Sequence, residues 1–253
     1  MIGILDSGLG GLSVLNEIHR LLPQHSTHYL ADSAWCPYGN KSYEQIQERV
    51  TTLVDYLLSQ GAEIIVIACN SATIACVEYL RANYLVPIVG MEPGVKPAAQ
   101  ASKNGIIGVL ATEASLAGEK FHRLLSNHAK GVQVITHPCP DFVTLVEGGE
   151  LSGSEVDKAI KLYMAPISDA DTVVLGCTHY PFLKESIARL YPEKTLIDTG
   201  AAVAQQVARK VQLAEDAQPK HTFQTSGDSK QATELLESLC PQFLNVDFSE
   251  LAE

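Results

Sequence analysis

The sequence predicts an α/β protein made of two pseudo-symmetric domains, each a mostly parallel sheet flanked by helices. Short apolar runs of strand length alternate with segments of helical period along all 253 residues, as in repeated β-α units. The runs are rich in Val and Ile and do not alternate with polar residues, which is typical of strands covered on both faces. In addition, two stretches of the chain resemble each other.

The predicted strands are the apolar runs that lie between turn residues. They are Ile2 to Leu5, His28 to Ala31, Ile64 to Ala68, Ile88 to Val89, Ile106 to Leu110, Val132 to Ile135, Val173 to Leu175 and Leu196 to Ile197.

Helices are predicted between these strands. The clearest carries Ile46, Val50, Leu53, Val54, Leu57 and Leu58 at a spacing that forms one apolar stripe. Gly61 is its expected stop. Near the end of the chain we expect a helix at Val207 to Leu213, an extended run at His221 to Gln224 and a helix at Gln231 to Leu239.

An internal repeat predicts the domain organisation. Glu63-Ile-Ile-Val-Ile-Ala-Cys69 resembles Asp171-Thr-Val-Val-Leu-Gly-Cys177, and Ile2-Gly-Ile-Leu-Asp-Ser7 resembles Ile107-Gly-Val-Leu-Ala-Thr112. The separations agree, since 62 residues separate Ser7 from Cys69 and 65 separate Thr112 from Cys177. We expect a first domain of residues 1–94 plus 207–253, a second of residues 95–206, and an active site in the cleft between them.

Charge and composition narrow the function classes. The formal net charge of −11 disfavours binding to nucleic acid and to anionic membranes. The first residues show neither a basic segment nor an apolar stretch typical of a signal peptide, so we expect a cytoplasmic protein with reduced cysteines.

Cys69 and Cys177 are the candidate reactive groups, because each follows a predicted strand and precedes a helix, where amide dipoles stabilise a thiolate. No metal site is expected, since no two cysteines have zinc-ligand spacing. A hydrolase built on Cys177 and His179 would leave Cys69 unused. Two facing thiols suit inversion at carbon, in which one removes a proton and the other delivers one. Buried structural cysteines are the alternative.

Five motifs carry a resemblance to a known family. They are Asp6-Ser-Gly-Leu-Gly-Gly11, Pro37-Tyr-Gly39, Ala68-Cys-Asn70, Glu92-Pro-Gly94 and Gly176-Cys-Thr-His-Tyr-Pro181. In order and spacing they resemble the glutamate racemases of the aspartate/glutamate racemase superfamily. The resemblance implies a cofactor-independent enzyme that interconverts L- and D-glutamate, supplies D-glutamate for peptidoglycan and forms a homodimer.

The resemblance also implies roles for individual residues. Cys69 is expected to act on the D-enantiomer with help from Asp6, and Cys177 on the L-enantiomer with help from His179. Glu147 also matches a family acid with a helper role. The implied substrate contacts are Asp6, Ser7, Pro37, Tyr38, Gly39, Asn70, Ser71, Thr178 and His179, to which the internal repeat adds Thr112 and Ser115.

Some residues depart from the family pattern. Ser71 stands where threonine is common, and Trp35 where arginine is frequent, beside an unusual Cys36. Cys76, Cys139 and Cys240 match no family function. Three other functions stay open: an aspartate racemase, a hydrolase that depends on Cys177, and a two-domain binding protein without catalysis.

Overall fold

The computed structural model describes residues 1–211 and 216–251. Within these ranges the strands are β1 Ile2–Asp6, β2 Thr27–Ala31, β3 Ile64–Ile67, β4 Ile88–Val89, β5 Ile106–Ala111, β6 Gln133–Pro138, β7 Thr172–Leu175, β8 Thr195–Ile197, β9 His221–Thr225 and β10 Phe248–Glu250. The α-helices are α1 Leu12–Leu21, α2 Tyr43–Ser59, α3 Asn70–Asn83, α4 Val95–Ala101, α5 Glu113–Ala117, α6 Glu119–His128, α7 Pro140–Glu147, α8 Ser154–Met164, α9 Lys184–Leu190, α10 Gly200–Lys210 and α11 Ser229–Leu239.

The first compact unit comprises Met1–Met91 and Gly200–Glu253. Its sheet has six parallel strands in the order β10-β9-β2-β1-β3-β4. The predicted stripe of α2 is buried against this sheet, with the exception of the half-buried Leu58. A capping box at Ser42 and Gln45 starts the helix by satisfying free backbone N–H groups. Apolar burial of this kind stabilises by about 1.5–3 kcal/mol per large side chain.

The second compact unit comprises Glu92–Thr199. Its sheet has four parallel strands in the order β6-β5-β7-β8. Buried side chains of α4, β5, α6 and β7, including Val95, Val109, Phe121 and Val174, form its core. The two parallel sheets flanked by helices confirm the predicted fold class.

The two units repeat one strand order, which confirms the internal repeat. Strands β2-β1-β3-β4 correspond to β6-β5-β7-β8. One backbone hydrogen bond recurs as well: the N–H of Ala68 donates to the carbonyl oxygen of Leu5 at 2.8 Å, and that of Gly176 to Leu110 at 2.7 Å. Gly176 has no room for a side chain, because a Cβ there would lie 2.9 Å from the Leu110 carbonyl oxygen. The residue after each of these two positions is a cysteine.

This strand order predicts where function resides. In a parallel sheet the loops diverge where the chain turns from one side of the first strand to the other, and ligands bind outside the carboxyl ends there. In the first unit this point lies between β1 and β3, and in the second between β5 and β7.

The structure differs from the sequence prediction near the end of the chain. The helix predicted at Val207 to Leu213 begins earlier, at Gly200, because Val203, Ala204 and Val207 form one buried face. Residues 212 and 213 lie outside the described residues. Strand β10 was not predicted from the sequence. The domain bounds 1–94 plus 207–253 and 95–206 stay a prediction.

Among residues 1–211 and 216–251, no helix has the length and apolar character needed to cross a membrane.

Candidate active site

The first half-site comprises Asp6, Ser7, Cys69 and Asn70, at the carboxyl ends of β1 and β3. Cys69 is 5% exposed and precedes the first residue of α3 in an extended conformation, as predicted for a thiol at a helix start. Its Sγ lies 3.7 Å from Oγ of Ser7. Asp6 is fully buried, and its Oδ2 accepts a 2.6 Å hydrogen bond from the backbone N–H of Gly11.

Asn70 carries a buried amide that points to a ligand. Its side chain is 3% exposed, and neither Nδ2 nor Oδ1 has a hydrogen-bond partner among the described residues. Buried polar atoms without a partner are costly and rare, so this amide is a candidate for binding another molecule. A side-chain amide has an NH₂ group that can donate to a carboxylate and an oxygen that can accept from an ammonium, and an amino acid carries both of these groups.

The loop Pro37-Tyr38-Gly39 is fastened by Asp32, a residue that the sequence reasoning missed. The Tyr38 hydroxyl donates to Oδ2 of Asp32 at 2.6 Å, and Arg49 donates from Nε and Nη2 at 2.9 and 2.6 Å. Burial, and then the Asp32 charge, raise the pKa of Tyr38 well above its usual range, so the phenol stays a donor. Asp32 follows β2 as Asp6 ends β1, and this shared position was the available signal.

Trp35 lies beside that loop and contacts two cations. The guanidinium carbon of Arg49 lies 5.4 Å from the ring centroid, and Nζ of Lys41 lies 5.6 Å from it. Both distances are typical of cation–π contacts. At the position where the family frequently has arginine, this chain therefore has an aromatic ring, that of Trp35, which contacts two cations.

The second half-site comprises Glu147, Cys177, Thr178 and His179. Sγ of Cys177 lies 3.6 Å from Nδ1 of His179, and Nε2 of His179 lies 2.6 Å from Oε1 of Glu147. Cys177 and His179 are 7% and 2% exposed. A carboxylate accepts from the N–H form of Nε2, and in that tautomer Nδ1 faces the Cys177 thiol as an acceptor.

The two cysteines differ in local structure, which corrects one prediction. Cys177 does not begin a helix: a 3₁₀ turn follows at Tyr180–Leu183, and α9 begins at Lys184. Instead, the N–H of Tyr180 donates a hydrogen bond to the carbonyl oxygen of Cys177, three residues earlier, and this bond closes a turn. The helix-dipole argument therefore applies to Cys69, whereas Cys177 has an imidazole partner.

The remaining predicted residues differ in bonding and burial. Thr112 caps α5, with Oγ1 accepting from the Ser115 N–H at 3.2 Å and donating to Ser115 Oγ at 2.8 Å. Ser71 and Thr178 are buried, Gly39 is half-buried and Pro37 is exposed.

Two of the other buried cysteines, Cys139 and Cys240, differ chemically from a reactive thiol. Burial raises the pKa of Cys139 far above its usual value and that of Cys240 to about 12, so both stay protonated. Within either unit, the part of the chain that the structure describes groups no three histidine, cysteine or carboxylate side chains closely enough to share a metal ion.

The two half-sites share one arrangement of groups that can donate or accept protons. Each unit holds one thiol at the carboxyl end of an equivalent strand, beside groups that donate or accept protons. The model of the Asp/Glu/Hydantoin racemase family matches residues 2–207. The chain therefore belongs to that family of racemases.

Named relatives narrow the assignment within the family. Glutamate racemase of Herpetosiphon aurantiacus is 46% identical over 90% of this chain and 92% of its own length. That of Pseudomonas aeruginosa is 51% identical over 82% of this chain and 80% of its own. The crystal structure of Escherichia coli glutamate racemase in complex with L-glutamate and activator UDP-MurNAc-Ala superposes with a TM-score of 0.90, at 32% identity, covering 99% of this chain and 97% of that one. Within the family, the chain groups with the glutamate racemases.

Proposed function

We propose that the enzyme interconverts L- and D-glutamate by moving the α-proton with two thiols, one from each unit. The observation that carries this proposal is the repeated position of Cys69 and Cys177 after equivalent strands, each with proton-transfer groups beside it. The named relatives, one of them solved with L-glutamate, support glutamate as the substrate.

The proposed reaction from L to D begins with Cys177 as thiolate and Cys69 as thiol. The Cys177 thiolate takes the α-proton of L-glutamate, and the electron pair of the C–H bond stays on the substrate as a carbanion. The Cys69 thiol then gives its proton to the opposite face, which leaves Cys69 as thiolate. The reverse reaction starts from this state, and exchange with solvent restores the first one.

Helper residues make these transfers feasible. His179, oriented by Glu147, exchanges a proton with Cys177, and Asp6 assists Cys69 near Ser7. The α-proton is weakly acidic, so the developing charge requires fixed donors around the carboxylate. Asn70 is the foremost candidate among them because its buried amide lacks a partner. We assign Ser7, Tyr38, Gly39, Ser71, Thr112 and Thr178 to substrate binding on the same proposal.

The cellular role follows from the product. We propose that the enzyme supplies D-glutamate to peptidoglycan in the cytoplasm as a homodimer, with the predicted domains 1–94 plus 207–253 and 95–206 each contributing one thiol. The activator named for the E. coli structure, a UDP-linked cell-wall sugar, is consistent with this role. Rescue of a bacterial strain that requires D-glutamate would test it.

Solvent-deuterium exchange with single-cysteine variants tests the two-thiol reaction. Cys69→Ser should stop racemisation but still exchange the α-proton of L-glutamate, and Cys177→Ser should do the same for D-glutamate. Cys76→Ser is the matched control, because Cys76 is also buried, lies within α3 and donates a hydrogen bond to the carbonyl oxygen of Ala72. It should keep parental turnover.

Each alternative function gives a different result. Turnover of L-aspartate alone would identify an aspartate racemase. A product of changed mass that survives Cys69→Ser would identify a hydrolase. Ligand binding without loss of optical activity in the parent protein would identify a binding protein, and each of these outcomes would overturn the proposal.

A further inference from the structure

Tyr180 belongs to the Gly176–Pro181 motif but has no part in the chemistry assigned so far. It follows His179 directly, and its side chain is fully buried. Its hydroxyl donates a 2.9 Å hydrogen bond to the carbonyl oxygen of Cys139. Burial raises the pKa of this hydroxyl far above its usual range, so it remains a donor at neutral pH.

The acceptor lies at one end of the helix whose other end carries Glu147. Cys139 is the residue before the first residue of α7, and Glu147 is its last. Two consecutive side chains therefore hold the two ends of one helix: Tyr180 bonds the amino end through Cys139, and His179 bonds the carboxyl end through Glu147.

Ring packing fixes the same helix between these ends. The Tyr180 ring meets Phe142 of α7 edge to face, with centroids 5.1 Å apart and planes at 85°. Phe142 in turn meets Tyr163 of α8 at 5.1 Å. An eight-residue helix is about 12 Å long and rigid, so a rotation at its amino end moves its carboxyl end as well.

We propose that Tyr180 is a positioning residue that sets the distance between Glu147 and His179, and through it the proton transfer at Cys177. This rests on the proposed function. Removing its hydroxyl leaves the Cys139 carbonyl without this donor and lets α7 shift. The His179–Glu147 bond then lengthens, and proton removal from L-glutamate by Cys177 slows, while the Cys69 step is unchanged.

The test is Tyr180→Phe, which keeps the ring and removes the hydroxyl. Because the two enantiomers have equal free energies, kcat/KM must stay equal in both directions, and we expect it to fall about three- to tenfold. Primary deuterium isotope effects separate the steps. With α-deuterated L-glutamate the effect on kcat/KM should rise, because Cys177 breaks the bond. With α-deuterated D-glutamate it should fall, because reprotonation by Cys177 becomes limiting.

Two further variants keep the test decisive. Tyr56→Phe is the matched control, since it loses a 2.7 Å hydroxyl bond to Gln224 in the first unit, and its isotope effects should equal the parental values. Phe142→Leu weakens the ring contact with the Tyr180 hydroxyl still present, and should shift the isotope effects in the same two directions. It replaces Tyr180→Phe if that variant does not fold.

The outcomes distinguish this inference from the proposed function. Parental isotope effects in Tyr180→Phe, or a change in the same direction for both enantiomers, would overturn the positioning role. If Cys177→Ser still racemises glutamate, the proposed function itself fails, whatever Tyr180→Phe does.

Discussion

Replacing Gly11 by Ala should separate catalysis from stability, because this residue touches the buried carboxylate of the first half-site. Gly11 has φ −62° and ψ −11°, a conformation that alanine adopts readily. A Cβ at this position would nevertheless lie 2.6 Å from Cβ of Asp6 and 2.9 Å from the Tyr29 hydroxyl. Ordinary contact begins near 3.4 Å, so Asp6 must move by roughly 0.8 Å. The clashing atom is Cβ of Asp6, which side-chain rotation cannot move, so the backbone of β1, paired with a strand on each side, must shift and carries the carboxylate with it.

The expected loss follows from that displacement. A shift of about 1 Å in a catalytic group can cost about a hundredfold in rate, so kcat should fall by roughly 30- to 100-fold. Overpacking should lower the free energy of unfolding by about 1–3 kcal/mol, partly offset by about 0.4–1 kcal/mol from the less flexible unfolded chain.

The assay is the loss of circular dichroism from L-glutamate, with denaturant unfolding of the same samples. Gly61→Ala is the control: Gly61 has φ +91°, where alanine costs about 1–2 kcal/mol, and no atom lies within 4 Å of an added Cβ. It should lose comparable stability and keep parental kcat. If Gly11→Ala keeps kcat within twofold of the parent, the assignment of Asp6 to the chemistry is refuted.

Three further predictions concern other residues. Glu147→Gln keeps an acceptor for His179 but removes the charge, and should lower kcat about tenfold or more with little change in KM in steady-state kinetics; an unchanged kcat would contradict the helper role. Burial lowers the pKa of His19 in the folded state, so the unfolded chain binds more protons below about pH 6.5 and stability should fall with pH from there down to the folded pKa. Thermal unfolding from about pH 8 to 5 should show this loss, and a His19→Gln variant with an equally steep profile would refute the assignment to His19. Trp35 is the single tryptophan of the chain, so saturating D-glutamate should change the intrinsic fluorescence, and Trp35→Phe should remove the signal; a ligand without effect on the parent spectrum would show that the loop does not respond.

Regular structure was predictable because its signals are local. The apolar runs at β1, β3, β5 and β7 predict strands from their composition alone, because strands covered on both faces are rich in Val and Ile. The repeat was visible for the same reason, as each cysteine follows its strand directly. Strand β10 was missed because Phe248–Glu250 has a single buried residue and gains its place only by pairing with β9.

Side-chain networks were not predictable to the same extent. Asp32 bonds Ser226 across 194 residues, and Tyr180 bonds Cys139 across 41. The spacing of residues along the chain does not indicate such partners, because the order of the strands in the sheet determines which loops lie next to each other. Family resemblance gave Glu147 a helper role, whereas its own sequence surroundings indicated only a solvated surface charge. Its pairing with His179 is visible only in the structure.

The repeated strand order also has a consequence for inhibitor design. Each of the two equivalent positions carries one thiol, but their neighbours differ: one thiol adjoins a hydroxyl and the other an imidazole. Inhibitors could therefore be designed to discriminate between two sites that share a backbone and differ in chemistry.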